Sequence, residues 1–206
     1  MFDTALLVID MQNAFCSPLG SFRKRGYNLL DLEQIIENIK VLLHNSNKMG
    51  WEIIFTKLEF KEDYSNAGLL VMKKHPSIKK EKAYVEESWD SDIIDELKEL
   101  MNDNTMIIRK TRYDPFLKTE LEAILRNKSI KNLLLVGVLT NVCLESAARS
   151  AFDHDFNVTV IKEATSTYSE NLYKTSLVNI NSHFGQVISI NEVFKTLSST
   201  EILPVY

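Results

Sequence analysis

At 206 residues, 45% hydrophobic and with a net charge of −4, the chain can bury one full core and gives no electrostatic reason to expect a nucleic-acid or membrane partner. No apolar stretch approaches transmembrane length, and the first apolar run is short and ends in an acid, so no export signal is expected. Two cysteines, Cys16 and Cys143, make no disulfide framework, which points to a reducing cytoplasm.

Residues 5–9 form an unbroken apolar run that ends in Asp10. A loop follows, marked by Pro18, Gly20 and Gly26. Leu32, Ile35, Ile36, Ile39, Leu42 and Leu43 then recur at helical spacing, predicting an amphipathic helix that stops near Gly50. Residues 52–55 predict a short strand. From there to Trp89 the periodicity is weak over a stretch far longer than a usual connection. Such a stretch at a strand's carboxyl end predicts either a substrate-selecting insertion over 57–89 or a loop packed on a neighbouring subunit. Its basic run, Lys73 to Lys82, reads as a solvated loop.

Ser91-Asp92 predicts the start of a helix with Ile93, Ile94, Leu97, Leu100 and Met101 on its core face. Residues 106–108 are a further apolar strand, terminated by Arg109-Lys110. A helix carrying Leu117, Leu121, Ile124 and Leu125 leads to a strand over 133–136. After Gly137-Val138-Leu139-Thr140-Asn141, good helix formers run on from Val142. A fifth strand over 158–161, a helix with Tyr173, Leu177 and Ile180, and a last strand over 187–190 complete the pattern. Repeated β-α units imply a mostly parallel six-stranded sheet with helices on both faces, as one domain over 1–206. Strand order is not readable from these runs. The apolar ending over 202–206 suggests packing on a second subunit.

Three polar residues stand where apolar strands end. In open α/β sheets, ligands bind outside the carboxyl ends of the strands. Cys143, in the first turn of a helix after a strand, sits where unpaired N–H groups and the helix dipole favour a thiolate and could receive an oxyanion. Asp10 supplies a base and Lys110 a charge stabiliser. Each residue alone also has an ordinary reading: a buried small hydrophobe, a strand-end cap, a solvated charge. Together they make a nucleophile, a base and a cation.

The segments Leu7-Val8-Ile9-Asp10-Met11-Gln12-Asn13-Ala14-Phe15, Lys110-Thr111-Arg112-Tyr113-Asp114-Pro115-Phe116 and Gly137-Val138-Leu139-Thr140-Asn141-Val142-Cys143-Leu144-Glu145 resemble the isochorismatase-like cysteine hydrolases. Within that family the chain is similar to the ureidoacrylate and biuret amidohydrolase branch, through residues 12–18, Trp89-Asp90 and residues 141–146. The resemblance implies a three-layer α/β/α sandwich, assembly as a homodimer or homotetramer, and Asp10, Lys110 and Cys143 as the catalytic triad. It also implies a cis bond at Val138–Leu139 beside the oxyanion site, with no cofactor. Asn13, Phe15, Tyr113 and Phe116 are expected at the substrate. Asp114-Pro115 stands where such enzymes usually show Ser and a small residue, so the substrate is expected to differ.

The implied chemistry is hydrolysis of an amide or ureido bond of a small molecule through a thioester or thiocarbamate on Cys143. Two relatives give alternatives. A nicotinamidase would need an Asp-and-His metal set after the second strand, where this chain reads Thr56-Lys57-Leu58-Glu59-Phe60 without histidine, so no metal is expected. A vinyl-ether-cleaving isochorismatase does not need the thiol. A third alternative, from another class, is a non-catalytic scaffold that binds a partner.

Overall fold

The computed structural model describes residues 3–198. The apolar ending over 202–206, read from the sequence as a subunit contact, lies outside them. All six expected strands are present: β1 (Thr4–Ile9), β2 (Glu52–Leu58), β3 (Met106–Lys110), β4 (Asn132–Val138), β5 (Asn157–Ser166) and β6 (Gln186–Ile188). Every pairing between them is parallel, in the order β3-β2-β1-β4-β5-β6. Strand β1 explains why the runs are unbroken. Its Leu6 and Val8 face one core cluster and its Ala5, Leu7 and Ile9 the other, all without exposure. A parallel strand covered on both faces has no solvent side on which to carry polar residues.

Helices supply the two covers. In chain order they are α1 (Asn13–Cys16), α2 (Ser21–Lys24), α3 (Leu32–Met49), α4 (Ser77–Lys80), α5 (Asp95–Lys98), α6 (Leu121–Asn127), α7 (Glu145–Asp153), α8 (Glu170–His183) and α9 (Ile190–Ser198). Helix α3 lays Ile35, Ile39, Leu42 and Leu43 into the first cluster, and α9 adds Val193 there. On the opposite face α6 contributes Leu121 and Leu125, α7 its Ala147, Ala148 and Ala151, and α8 Ile180. The result is the three-layer α/β/α sandwich, with its sheet wholly parallel. Helix α3 ends as the sequence suggests: Gly50 takes φ 68° and returns its N–H to the Ser46 and Asn47 carbonyls.

Three local expectations change. The helix expected from Ser91 is reduced to the single turn of α5, because residues 93 and 94 are drawn out instead against the end of β1. Gln12 and Ile93 form an antiparallel bridge, and Ile94 N–H donates to the Met11 carbonyl at 3.1 Å. The last strand stops at Ile188, and Ile190 opens α9. Here Ser189 and Glu192 form a reciprocal cap: Ser189 N–H donates to Glu192 Oε2 at 2.7 Å, and Glu192 N–H to Ser189 Oγ at 3.3 Å. Leu117 lies outside α6 and is exposed.

The long stretch after β2 packs against the body of the same chain. Phe60, Tyr64 and Tyr84 are all buried; Phe60 N–H donates to the Tyr84 carbonyl, and Tyr64 Oη to the Ala83 carbonyl at 2.7 Å. Its far end is clamped to the loop after β1. Asp90 accepts from Ser21 N–H, Ser21 Oγ and Tyr84 N–H at 2.8–2.9 Å.

Candidate active site

Strand order reverses between β1 and β4: from β1 the chain steps outward to β2 and β3, then returns to the other side of β1 with β4. Asp10 follows β1 and the Cys143 turn follows β4, so both sit at the switch point where an open α/β sheet leaves a crevice. Lys110 comes from farther away. Strand β2 lies between β3 and β1, so its Cα is two strand spacings, about 9–10 Å, from that of β1. A long side chain is needed to bridge that gap.

The lysine does bridge it. Lys110 Nζ donates to Asp10 Oδ2 at 2.7 Å, with both side chains at 0% exposure, and also to the Tyr113 and Arg112 carbonyls at 3.2 and 3.3 Å. Three acceptors thus satisfy its three protons. Burial works against the Lys110 charge, but Asp10 and Cys143 outweigh it and hold the ammonium above its ordinary value. Asp10 itself takes φ 50°, in the left-handed region, which turns the chain out of β1 at its carboxylate. The other carboxylate oxygen is held by Thr56, whose hydroxyl donates to Asp10 Oδ1 at 2.6 Å.

Cys143 is 1% exposed, and its side chain interacts with both Asp10 and Lys110. The sequence reading expects the helix start to favour a thiolate there; burial opposes that. Burial pushes the thiol up and the Asp10 carboxylate adds to it, while Lys110 pulls the other way and loses. The first turn is also wound as a π-helix over Thr140–Leu144 before α7 begins, with Leu144 N–H reaching back to the Leu139 carbonyl at 3.1 Å. The sulfur lies beside a carboxylate able to take its proton. The Val138–Leu139 peptide bond is cis.

Buried hydroxyls fasten this turn to its neighbours. Thr165 Oγ1 donates to the Gly137 carbonyl at 2.7 Å and lies 2.8 Å from Thr140 Oγ1. Ser176 Oγ of α8 donates to the Thr140 carbonyl at 3.0 Å, and Thr167 Oγ1 to Asn141 Oδ1 at 2.6 Å.

Of the residues expected at the substrate, Tyr113 is brought to the triad. It is half-buried, and its hydroxyl is pushed up to about 12 by burial first and then by Cys143. Asn13 is close in chain but engaged structurally, donating its side-chain amide to the Trp89 carbonyl at 2.9 Å. Phe15 packs against Phe22 and Tyr84 at 5.4 and 5.1 Å between ring centroids. Phe116 is buried, its ring stacked on His154 at 5.2 Å and tilted against Phe156 at 6.0 Å, just beyond the C-terminal end of α7.

Residues that sequence reasoning missed complete the surroundings. Tyr168 is near enough to Tyr113 to influence its hydroxyl, and packs against Tyr27 at 4.9 Å and Phe22 at 6.0 Å. Gln12 is the brace of the loop after β1. Its Nε2 donates to the Leu58 and Ser91 carbonyls at 3.0 and 2.7 Å, and its Oε1 accepts from Leu58 N–H at 2.9 Å, all in the interior. Replacing Gln12 by Leu strands those three backbone groups, and each buried unpaired group costs about 1–3 kcal/mol. Urea denaturation of Gln12→Leu is expected to reveal a loss of about 3 kcal/mol or more; a change below about 1 kcal/mol would mean that water reaches the loop. Among the described residues, no group of three or more His, Cys, Asp or Glu could hold a metal ion. No helix among them is long and apolar enough to cross a membrane.

Comparison with known proteins adds a second line. The isochorismatase domain model matches residues 4–192. The chain is 34% identical over 197 residues to the ureidoacrylate amidohydrolase RutB of Caulobacter segnis, covering 89% of this chain and 81% of that one. It is 30% identical over 209 residues to RutB of Rhizobium rhizogenes, covering 95% and 84%. Among solved structures, a cysteine hydrolase from Pseudomonas syringae pv. phaseolicola superposes with a TM-score of 0.87 at 23% identity, covering 97% of this chain and 94% of the other.

Proposed function

Because the chain belongs to the isochorismatase family and is a hydrolase of C–N bonds other than peptide bonds, we propose that it cleaves an amide or ureido bond of a small molecule through a covalent bond to Cys143. The observation that carries this reading is the dry Lys110–Asp10 pair, 2.7 Å long, against a buried thiol at the sheet's switch point. The ureidoacrylate amidohydrolases at 30–34% identity support a ureido acid as the substrate class.

In this mechanism Asp10 takes the Cys143 proton as sulfur attacks the carbonyl carbon. Lys110 pairs with the Asp10 carboxylate and offsets the charge that develops on sulfur. Backbone N–H groups of the turn from Leu139 to Cys143 hold the oxyanion. The tetrahedral species collapses with scission of the C–N bond, and Asp10 returns the proton to the departing nitrogen. Water, deprotonated by Asp10, then cleaves the thioester or thiocarbamate and restores the thiol. A site that excludes bulk water strengthens each of these charge interactions.

The test is release of ammonia from ureidoacrylate, biuret, N-carbamoyl amino acids, nicotinamide and simple aliphatic amides. Wild type is expected to release it from the ureido compounds. Cys143→Ala should lower turnover by a factor on the order of 10⁴ or more. Release that survives in the alanine variant would remove the covalent mechanism, and silence of the wild type across the panel would remove the amidase reading.

A further inference from the structure

We propose that Thr56 is a positioning residue for Asp10, setting the plane of its carboxylate so that the thiol proton has a fixed place to go; this rests on the reading of Asp10 as the base. Two contacts between the same two residues carry the inference. Thr56 Oγ1 accepts the Asp10 N–H at 3.2 Å and donates to Asp10 Oδ1 at 2.6 Å. A hydroxyl has one proton and can turn it anywhere in its cone. Here the incoming N–H occupies the oxygen's acceptor side, so the proton is committed to the carboxylate.

The arrangement pins Asp10 at both ends. Its backbone stands at φ 50°, a conformation that most residues leave readily, and the hydroxyl holds its N–H there. Its Oδ1 is tied to Thr56 and its Oδ2 to Lys110, from the neighbouring strand and the one beyond. With both oxygens anchored to groups that do not react, the carboxylate cannot rotate about its own bond. Thr56 and Asp10 are each at 0% exposure, so no water replaces the hydroxyl. The register delivers Thr56 to this position: it is the residue of β2 opposite Ile9, the last of β1.

Lysine supplies charge; threonine supplies direction. Removing the hydroxyl therefore affects the proton-transfer step and leaves the substrate's other contacts intact. The experiment compares Thr56→Val, which keeps the shape, with Thr56→Ser, which keeps the hydroxyl. On the ureido substrate that wild type turns over, Thr56→Val is expected to lower kcat about 10- to 100-fold with KM little changed. The pH profile of its kcat/KM should change as well, since a hydrogen bond to the reacting carboxylate is lost. Thr56→Ser should restore both. Cys143 alkylation by iodoacetamide, followed against pH in a Cys16→Ser background, gives a readout that needs no substrate: the curve is expected to be displaced in Thr56→Val and to return in Thr56→Ser.

Unchanged kcat and unchanged profiles in Thr56→Val overturn the proposal, and Cys143→Ala still decides the amidase reading separately. Equal losses in the Val and Ser variants, with melting temperatures lowered alike, reduce Thr56 to packing and overturn it too. If wild type releases no ammonia from any amide, the amidase reading fails and the alkylation curves alone decide. Displacement restored by Ser then supports the role of Thr56, and identical curves overturn it.

Discussion

Replacing Lys110 by Met is expected to destabilise the protein by about 3–5 kcal/mol and to lower kcat/KM by a factor on the order of 10³–10⁴. Both effects have one cause. The Asp10 carboxylate is wholly buried, and among the described residues its one cation within hydrogen-bond reach is Lys110 Nζ at 2.7 Å. Methionine fills the same space and leaves a charge in the interior with Thr56 and the thiol as its remaining partners. The double variant Asp10→Asn/Lys110→Met separates the two consequences. It removes the orphaned charge, so much of the lost stability should return, whereas activity should not, because the base has gone. Urea denaturation read beside ammonia release measures both. A single variant as stable as wild type would mean that the pair is solvated in the working protein. A double variant no better than the single one would mean that Lys110 acts through packing.

What the sequence made legible here follows from burial. Strands covered on both faces read as continuous apolar runs, so β1 and β4 stand out, and the chain just beyond each run marks the sheet's functional edge. Asp10 and the Cys143 turn are legible for that reason; Lys110 is legible as the end of the shorter run of β3, an edge strand with Ile107 exposed. Thr56 is not. It follows Ile54 and Phe55 as one more β-forming residue, and only the pairing of β2 with β1 sets it against Asp10. Register is a property of two strands, and neither strand carries it alone.

The setting of Cys143 is less legible for a related reason. A helix start favours a thiolate when it is open to solvent or facing cations. This one is closed, and a carboxylate faces the sulfur. The helix expected from Ser91 gave way to pairing with the end of β1, a tertiary contact that outweighs local propensity. The start of α9 was legible in principle. Ser189 followed three residues later by Glu192 is a capping-box pattern, and it marks the boundary where the apolar run was extended too far.

The second large effect is expected at Gly137, the next-to-last residue of β4. Its φ is 107°, and a Cβ there would lie 2.1 Å from the Ile9 carbonyl oxygen and 2.7 Å from the Ile9 nitrogen. Both are backbone atoms of the central strand, one residue before Asp10, so no side chain can swing aside to make room. Gly137→Ala must push β4 away from β1, and with it the Thr165 hydroxyl that donates to the Gly137 carbonyl at 2.7 Å. A loss of about 2–4 kcal/mol is expected on denaturation. Activity should fall further than stability alone would dictate, because Asp10 and Cys143 ride on the two strands being forced apart; a displacement of about 1 Å can cost on the order of 10²-fold. Gly26→Ala is the control. Gly26 also has positive φ, 87°, but nothing lies within 4 Å of its added Cβ. That variant carries only the conformational penalty, about 1–2 kcal/mol, and should turn over like wild type. Equal losses at the two positions would show that left-handed backbone, and not the closeness of β4 to β1, is what demands glycine. A larger loss at Gly137, with activity following it, would tie the distance between base and nucleophile to the absence of one methyl group.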